Sequence, residues 1–170
     1  NLIGMDSKEF PPLPELEDRK STEIGRDELT QMLKSVSFAQ SVNEERYMLK
    51  GVFFHFSKDN LSLVATDGRR LAVTNREMSV SESDAGEFIL PSLTVTELEK
   101  IPDVGNEVSI SFTDRQVAFE LKVENKNEET TGFMESVYLV SKVVEGKYPN
   151  YKQVIPKDDF NAAEIERELM

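Results

Sequence analysis

Val64-Ala65-Thr66-Asp67-Gly68-Arg69-Arg70-Leu71-Ala72-Val73 sets an Asp-Gly pair between two apolar runs. Asp-Gly is a strong tight-turn signal, because glycine takes positive φ without a Cβ clash and aspartate bonds its own backbone. Leu61 to Ala65 and Arg70 to Thr74 therefore read as strands about the turn Thr66-Asp67-Gly68. Upstream, Tyr47 to Phe56 alternates with β-branched and aromatic residues and reads as a first long strand, with Lys58-Asp59-Asn60 as its turn. Downstream lie the loop Ser79 to Gly86 and a strand over Glu87 to Leu90. This is antiparallel β territory.

Helices flank it. Leu29, Met32, Leu33 and Val36 fall at i, i+3, i+4 and i+7, which predicts an amphipathic helix over Arg26 to Phe38, after a short strand at Ser21 to Ile24. Arg26, Thr30, Lys34 and Ser37 take another face of that helix. Thr94 and Glu97 have the spacing of a capping box and predict a second helix, with Val95, Leu98 and Ile101 inward and Pro102 ending it. Val108 to Phe112 and Val117 to Val123 form a hairpin about Thr113-Asp114-Arg115, and Phe133 to Val140 follows as a last strand. Two helices between antiparallel hairpins predict an α+β domain, with the helices packed on one side of the sheets.

Composition narrows the function. With 38% hydrophobic and 31% charged residues, the chain can bury one ordinary core under a heavily solvated surface. There is no cysteine, which removes disulfides, thiolate metal sites and cysteine nucleophiles. The single histidine, His55, sits in Val52-Phe53-Phe54-His55-Phe56 and reads as a strand residue, so no metal site and no cofactor is expected. No phosphate-binding glycine loop, dinucleotide fingerprint or nucleophile elbow occurs. Glu44-Glu45 and Asp158-Asp159 read as solvated charge, and no catalytic residue is assigned. The net charge of −12 opposes general nucleic-acid affinity, because binding phosphate requires cations that displace counterions. No apolar run approaches the ~20 residues of a membrane span, nor is there a basic-then-apolar leader, so the cytoplasm is the expected address.

A second distinctive segment is Val144-Glu145-Gly146-Lys147-Tyr148-Pro149-Asn150-Tyr151-Lys152-Gln153-Val154-Ile155-Pro156. Alone it reads as a proline-bearing exit loop, as the first reads as a common hairpin. In this order, the two closely resemble the middle domain of the bacterial sliding clamp, the beta subunit of DNA polymerase III. That family carries A-T-D-G-[HR]-R-L-A and then E-G-[RKE]-[FY]-P-[DN]-Y. Met5 to Pro14 resembles the family's exit from its first domain, and Phe38 to Leu49 its stretch between first helix and first long strand.

The resemblance implies a DNA-clamp fold, in which a strand-helix-strands unit occurs twice per domain, helices toward the hole of a ring and sheets outside. It divides the chain into residues 1–18, the tail of a first domain with the acid- and proline-rich linker Glu9 to Glu17; residues 19–156, the whole middle domain; and residues 157–170, the linker and opening helix of a third. It implies a processivity factor whose full-length form is a homodimeric ring around duplex DNA, without catalysis. The chain alone is expected to be monomeric, because the ring interface joins the first and third domains. Polymerase and clamp loader are implied to dock through short apolar peptides in a cleft between the middle and last domains. Carried over by motif, that cleft takes Met48 and Leu49 from the first long strand, Thr66, Gly68, Arg69, Arg70 and Leu71 from the turn, and Pro149, Gln153 and Val154 from the exit segment. Arg26, Lys34, Asn43, Arg46 and Tyr47 are the DNA-facing candidates, weighed against a plain solubilising role. The polar hairpin Lys122 to Thr131, Met48 in place of a second aromatic, and Gln153 in place of an arginine depart from the family pattern. A clamp-like docking module that forms no ring is the alternative.

Overall fold

Residues 4, 12, 14, 16–101, 105–122 and 136–156 are described by the computed structural model of the chain. The elements run β1 (Lys20–Gly25), α1 (Arg26–Val36), β2 (Gly51–Ser57), β3 (Asn60–Thr66), β4 (Leu71–Glu77), β5 (Gly86–Pro91), α2 (Ser92–Glu99), β6 (Glu107–Phe112), β7 (Gln116–Lys122) and β8 (Ser136–Lys142). Strand, helix and three strands occur twice in succession. The repeats exchange their first strands, since the two sheets are ordered β1-β6-β7-β8 and β4-β3-β2-β5. Every pairing is antiparallel.

One core lies between the sheets and helices. Leu29, Met32, Leu33 and Val36 of α1 and Val95 and Leu98 of α2 are buried in it, as the helical spacing required. Alternate residues of β2 and β5 on one sheet, and of β6 and β7 on the other, complete it. Phe88 joins the sheets, lying 4.8 Å from Phe54 and 5.0 Å from Phe112 between ring centroids. A buried aromatic of this kind contributes about 1.5–3 kcal/mol by leaving water.

The outer faces differ. On β1-β6-β7-β8 that face is polar over β1 and β6, with Ser21 and Ser111 bonded side chain to side chain at 3.2 Å. On β4-β3-β2-β5 it is apolar: Phe53, Val64 and Ile89 form a second buried cluster with Leu49, Tyr148 and Tyr151. The segment after β8 supplies that cover.

Several boundaries correct the sequence reading. Tyr47 to Leu49 is not strand: Glu44–Leu49 forms 3-10 turns and β2 begins at Gly51. The Asn43 side chain accepts the Glu45 N–H, and the Lys50 N–H closes on the Tyr47 carbonyl, so local bonds hold the backbone out of the ladder. The capping box is also absent. α2 starts at Ser92, which places Thr94 inside the helix, where its hydroxyl lies 2.7 Å from that of Ser141. Glu97 accepts from Lys100 at 2.9 Å instead of reaching back. α2 ends at Glu99, and Pro102 lies outside the described residues. The last strand is displaced to Ser136–Lys142, with 133–135 outside the described residues. So are the stretch expected to form a polar hairpin beyond Lys122, the stretch 157–170 expected to open a third domain, and most of the segment before Leu16.

Candidate functional site

β3 and β4 end on the pair Thr66 and Leu71, and the four residues between them form a turn dense in hydrogen bonds. The Asp67 carboxylate accepts the backbone N–H groups of Arg69 at 2.9 Å and Arg70 at 3.0 Å, and the Arg70 Nε–H at 3.1 Å. Those backbone donors, more than the arginine charge, hold Asp67 below the usual carboxylate range. The Thr66 hydroxyl donates to the Arg70 carbonyl at 2.6 Å and accepts the Gly68 N–H at 3.1 Å. Gly68 has φ +86°, and a Cβ there would collide with the Arg46 guanidinium. The positive φ is what favours glycine at this position, since the Arg46 side chain can swing aside. With the backbone so fixed, Arg69, Arg70 and Leu71 project in set directions.

Beside the turn runs a groove of about 640 Å³. Its walls are Leu49, Thr66, Gly68, Arg69, Arg70, Leu71 and Val73 on the sheet side and Pro149, Asn150, Tyr151, Val154, Ile155 and Pro156 on the other. Tyr148 anchors the second wall: its ring stacks on Phe53 at 4.7 Å with 5° between planes, and Tyr151 meets Phe53 edge-on at 6.4 Å. Burial pushes the Tyr148 hydroxyl up to about 12, and the nearby Thr66 backbone counters this only in part, for no well-formed hydrogen bond reaches that oxygen. Burial likewise raises Tyr151, against a bond with Ser62. Val154 is 68% exposed, so apolar surface stands open to solvent at the mouth of the groove.

Eight of the ten residues expected in a cleft meet around this one groove. Met48 does not line it; it packs against the second cluster from below, close to Gly146. Gln153, in the 3-10 turn Tyr151–Gln153, is exposed and away from the walls. Sequence reasoning missed Val73, Asn150, Tyr151, Ile155 and Pro156. The i, i+2 step from Leu71 to Val73 on one strand face could have found the first of these.

The five DNA-facing candidates fall into two groups. Arg26 and Lys34 border a crevice of about 220 Å³ between α1 and α2; Lys34 is exposed, whereas the Arg26 side chain is 16% exposed and paired with Asp27. Asn43 and Arg46 border another of about 300 Å³, shared with Arg69 and Arg70, and Tyr47 is 55% exposed nearby in sequence. Among the described residues no group of three or more His, Asp or Glu could hold a metal, and no helix is long and apolar enough to cross a membrane.

Comparison with known proteins follows this geometry closely. The family model described as "DNA polymerase III beta subunit, central domain" matches residues 23–150. The chain belongs to that family. Its relatives include the beta sliding clamps of Bacillus subtilis, 32% identical over 93% of this chain, and Chlamydia pneumoniae, 28% identical over 98%. The chain spans 39% and 42% of their lengths, about two-fifths. Among solved structures, the Bacillus subtilis sliding clamp is 29% identical over 91% of this chain and 37% of its own, with TM-score 0.74. The Bartonella birtlesii sliding clamp, determined bound to griselimycin, is 30% identical over 88% of this chain and 38% of its own, with TM-score 0.73. The doubled strand-helix-strands unit is thus a sliding-clamp fold.

Proposed function

We propose that the chain serves as the middle domain, residues 19–156, of a DNA sliding clamp, and that its groove receives short apolar peptides from the replicative polymerase, the clamp loader and other partners. The complete protein is a homodimeric ring that encircles duplex DNA in the cytoplasm and raises processivity by tethering, without bond chemistry. One observation carries the peptide reading. A groove with Leu49, Leu71 and Val154 on its walls and a rigid polar turn at its rim matches an extended apolar ligand with a few polar groups. Lys34 on α1 contributes one dispersed cation to the ring's inner surface, where binding must permit sliding and so avoids base readout.

The test is an NMR titration of this chain with a peptide of Gln followed by two bulky apolar residues. Signals of Leu49, Leu71 and Val154 shift, and those of Leu29 and Ile110 in the core do not. Shifts confined to α1 or β1 would show that the groove is not the docking site. For the ring, the full-length protein stays on closed circular DNA and runs off linear DNA; retention on neither would exclude encirclement.

A further inference from the structure

Met48 sits where two short lengths of chain close over the outer face of β4-β3-β2-β5. It belongs to the 3-10 turns Glu44–Leu49, and its side chain is half-buried against the cluster built on Leu49, Phe53, Tyr148 and Tyr151. Its thioether lies on Gly146, in the segment that follows β8. A Cβ added at Gly146 would stand 2.8 Å from the Met48 Sδ and 3.3 Å from its Cγ, so the methionine already fills the space of a side chain there. Gly146 has φ +118°, a backbone conformation that favours glycine. The contact therefore joins a bare Cα to a soft, uncharged sulfur. Around it, the segment is held by the backbone bonds of Val143 and Val144 and by the Tyr148 and Tyr151 rings on Phe53.

The other described methionines are placed differently. Met32 is buried in the main core, at 6% exposure. Met78 is half-buried against that same core, and its N–H is bonded to the Asp59 carbonyl, beyond the far end of β2 from Met48. The chain has no cysteine and no tryptophan, so methionine sulfur is the group that a mild oxidant meets first.

We propose that Met48 is an oxidation site, and that its sulfoxide unlatches residues 143–156 from the sheet. The reagent is a small peroxide. A lone pair on Sδ attacks one peroxide oxygen, and the S–O bond forms as the O–O bond breaks. The departing hydroxide takes the proton left on the new oxygen and leaves as water; sulfur loses two electrons and the peroxide gains them. Half-burial lets a molecule as small as hydrogen peroxide reach the sulfur, and the glycine contact gives the product its effect. The new oxygen either points at Gly146, where a methyl group already has no room, or turns the side chain out of the cluster. In both cases a larger, polar group replaces a soft apolar one at a junction with few other ties. Tyr151 and Val154 belong to the groove's second wall, so release carries to peptide binding. That consequence rests on the peptide reading of the groove; the unlatching does not.

The test treats this chain with hydrogen peroxide, maps oxidation by mass spectrometry and reads amide exchange over residues 147–154. Met48 is oxidised faster than Met32, and amides of 147–154 then exchange about ten-fold faster, while those of α1 and β6 do not change. Met48→Leu, close in volume and inert to peroxide, keeps the same slow exchange before and after treatment. Met48→Gln, a polar stand-in for the sulfoxide, exchanges fast with no oxidant present. Met78→Leu leaves the response intact. Faster exchange in the treated Met48→Leu chain would assign the effect to another residue and overturn the proposal. So would a Met48 that resists peroxide while Met32 reacts, or full conversion of Met48 with exchange over 147–154 unchanged. The groove is read separately, with a labelled peptide of Gln followed by two Leu, which binds the oxidised chain about three- to ten-fold more weakly. A peptide that binds neither form would overturn the groove reading, and the exchange result would still decide the role of Met48.

Discussion

Phe53 and Phe54 are neighbours in β2 on opposite faces of one sheet, and their surroundings differ. Phe54 points into the closed core, stacked on Phe88 and edge-on to Phe119, with both helices and the second sheet around it. Phe53 points outward, and Tyr148, Tyr151 and their segment, with Leu49 and Met48 from the turns before β2, stand between it and water. Both are nearly inaccessible, at 0% and 7%. The first is buried by layers that the whole fold supplies, the second by two short lengths of chain. A sheet apolar on both faces has a place to build a site outside the core, where opening a groove leaves the main packing intact.

Substitution separates the two faces. Phe54→Ala costs about 3–5 kcal/mol in chemical denaturation, the scale for an aromatic removed from rigid packing. Phe53→Ala costs less, no more than about 3 kcal/mol, because the Tyr148 segment can collapse onto the sheet; it nevertheless abolishes peptide binding. Equal losses would mean that the outer cluster is as constrained as the core.

Leu71→Ala is expected to invert that order of effects. Half-buried on the groove wall, Leu71 contributes little to stability, yet its loss weakens peptide binding by about 1–3 kcal/mol by calorimetry. Arg69→Ala weakens binding of a neutral peptide by less, since its charge stays solvated. A larger effect from Arg69 than from Leu71 would make the groove electrostatic in character.

The groove's rim was legible in the sequence and its far wall was not. Asp67-Gly68 announced the turn because both residues act on the backbone within a few positions. Leu29 to Val36 announced α1 for the same reason, since the helical repeat is local. Tyr148 and Tyr151 lie in a proline-bearing stretch that reads as loop, and their burial depends on Phe53, almost a hundred residues away. Thr94 misled because a hydroxyl that can cap a helix can equally bond Ser141 on a strand distant in sequence. Tyr47 to Leu49 misled because its β-type residues are overridden by the Asn43 side chain.

Two smaller predictions concern the rim and the cover. Gly68→Ala costs about 1–2 kcal/mol in thermal denaturation, since φ +86° strains an L-residue, and it also displaces Arg46. A neutral result would show that the turn relaxes easily. For Tyr148, the folded state holds its proton up to about 12 against the ordinary 10.0. Its contribution to stability is thus complete below pH 10 and lost as pH rises from 10 toward 12. Ultraviolet titration should show a late tyrosine step that Tyr148→Phe removes. That variant also flattens stability across the same window and is neutral or up to about 1 kcal/mol more stable at pH 7, since it deletes a buried hydroxyl without a good partner. A late step that persists would assign the delay to Tyr151.

Residues 143–156 are tied to the sheets, among the described residues, by two backbone hydrogen bonds, Val143 N–H to Arg115 and Val144 N–H to Ile89. The remaining backbone bonds of the segment close on itself, at Tyr151, Gln153 and Val154. Amide exchange there is accordingly governed by lifting of this one strap, at a free energy well below that of global unfolding. A ligand that touches strap and sheet together binds only the closed form, so occupancy deepens that local well by mass action. Protease nicking after Tyr151 then becomes a direct gauge of how long a partner stays in place.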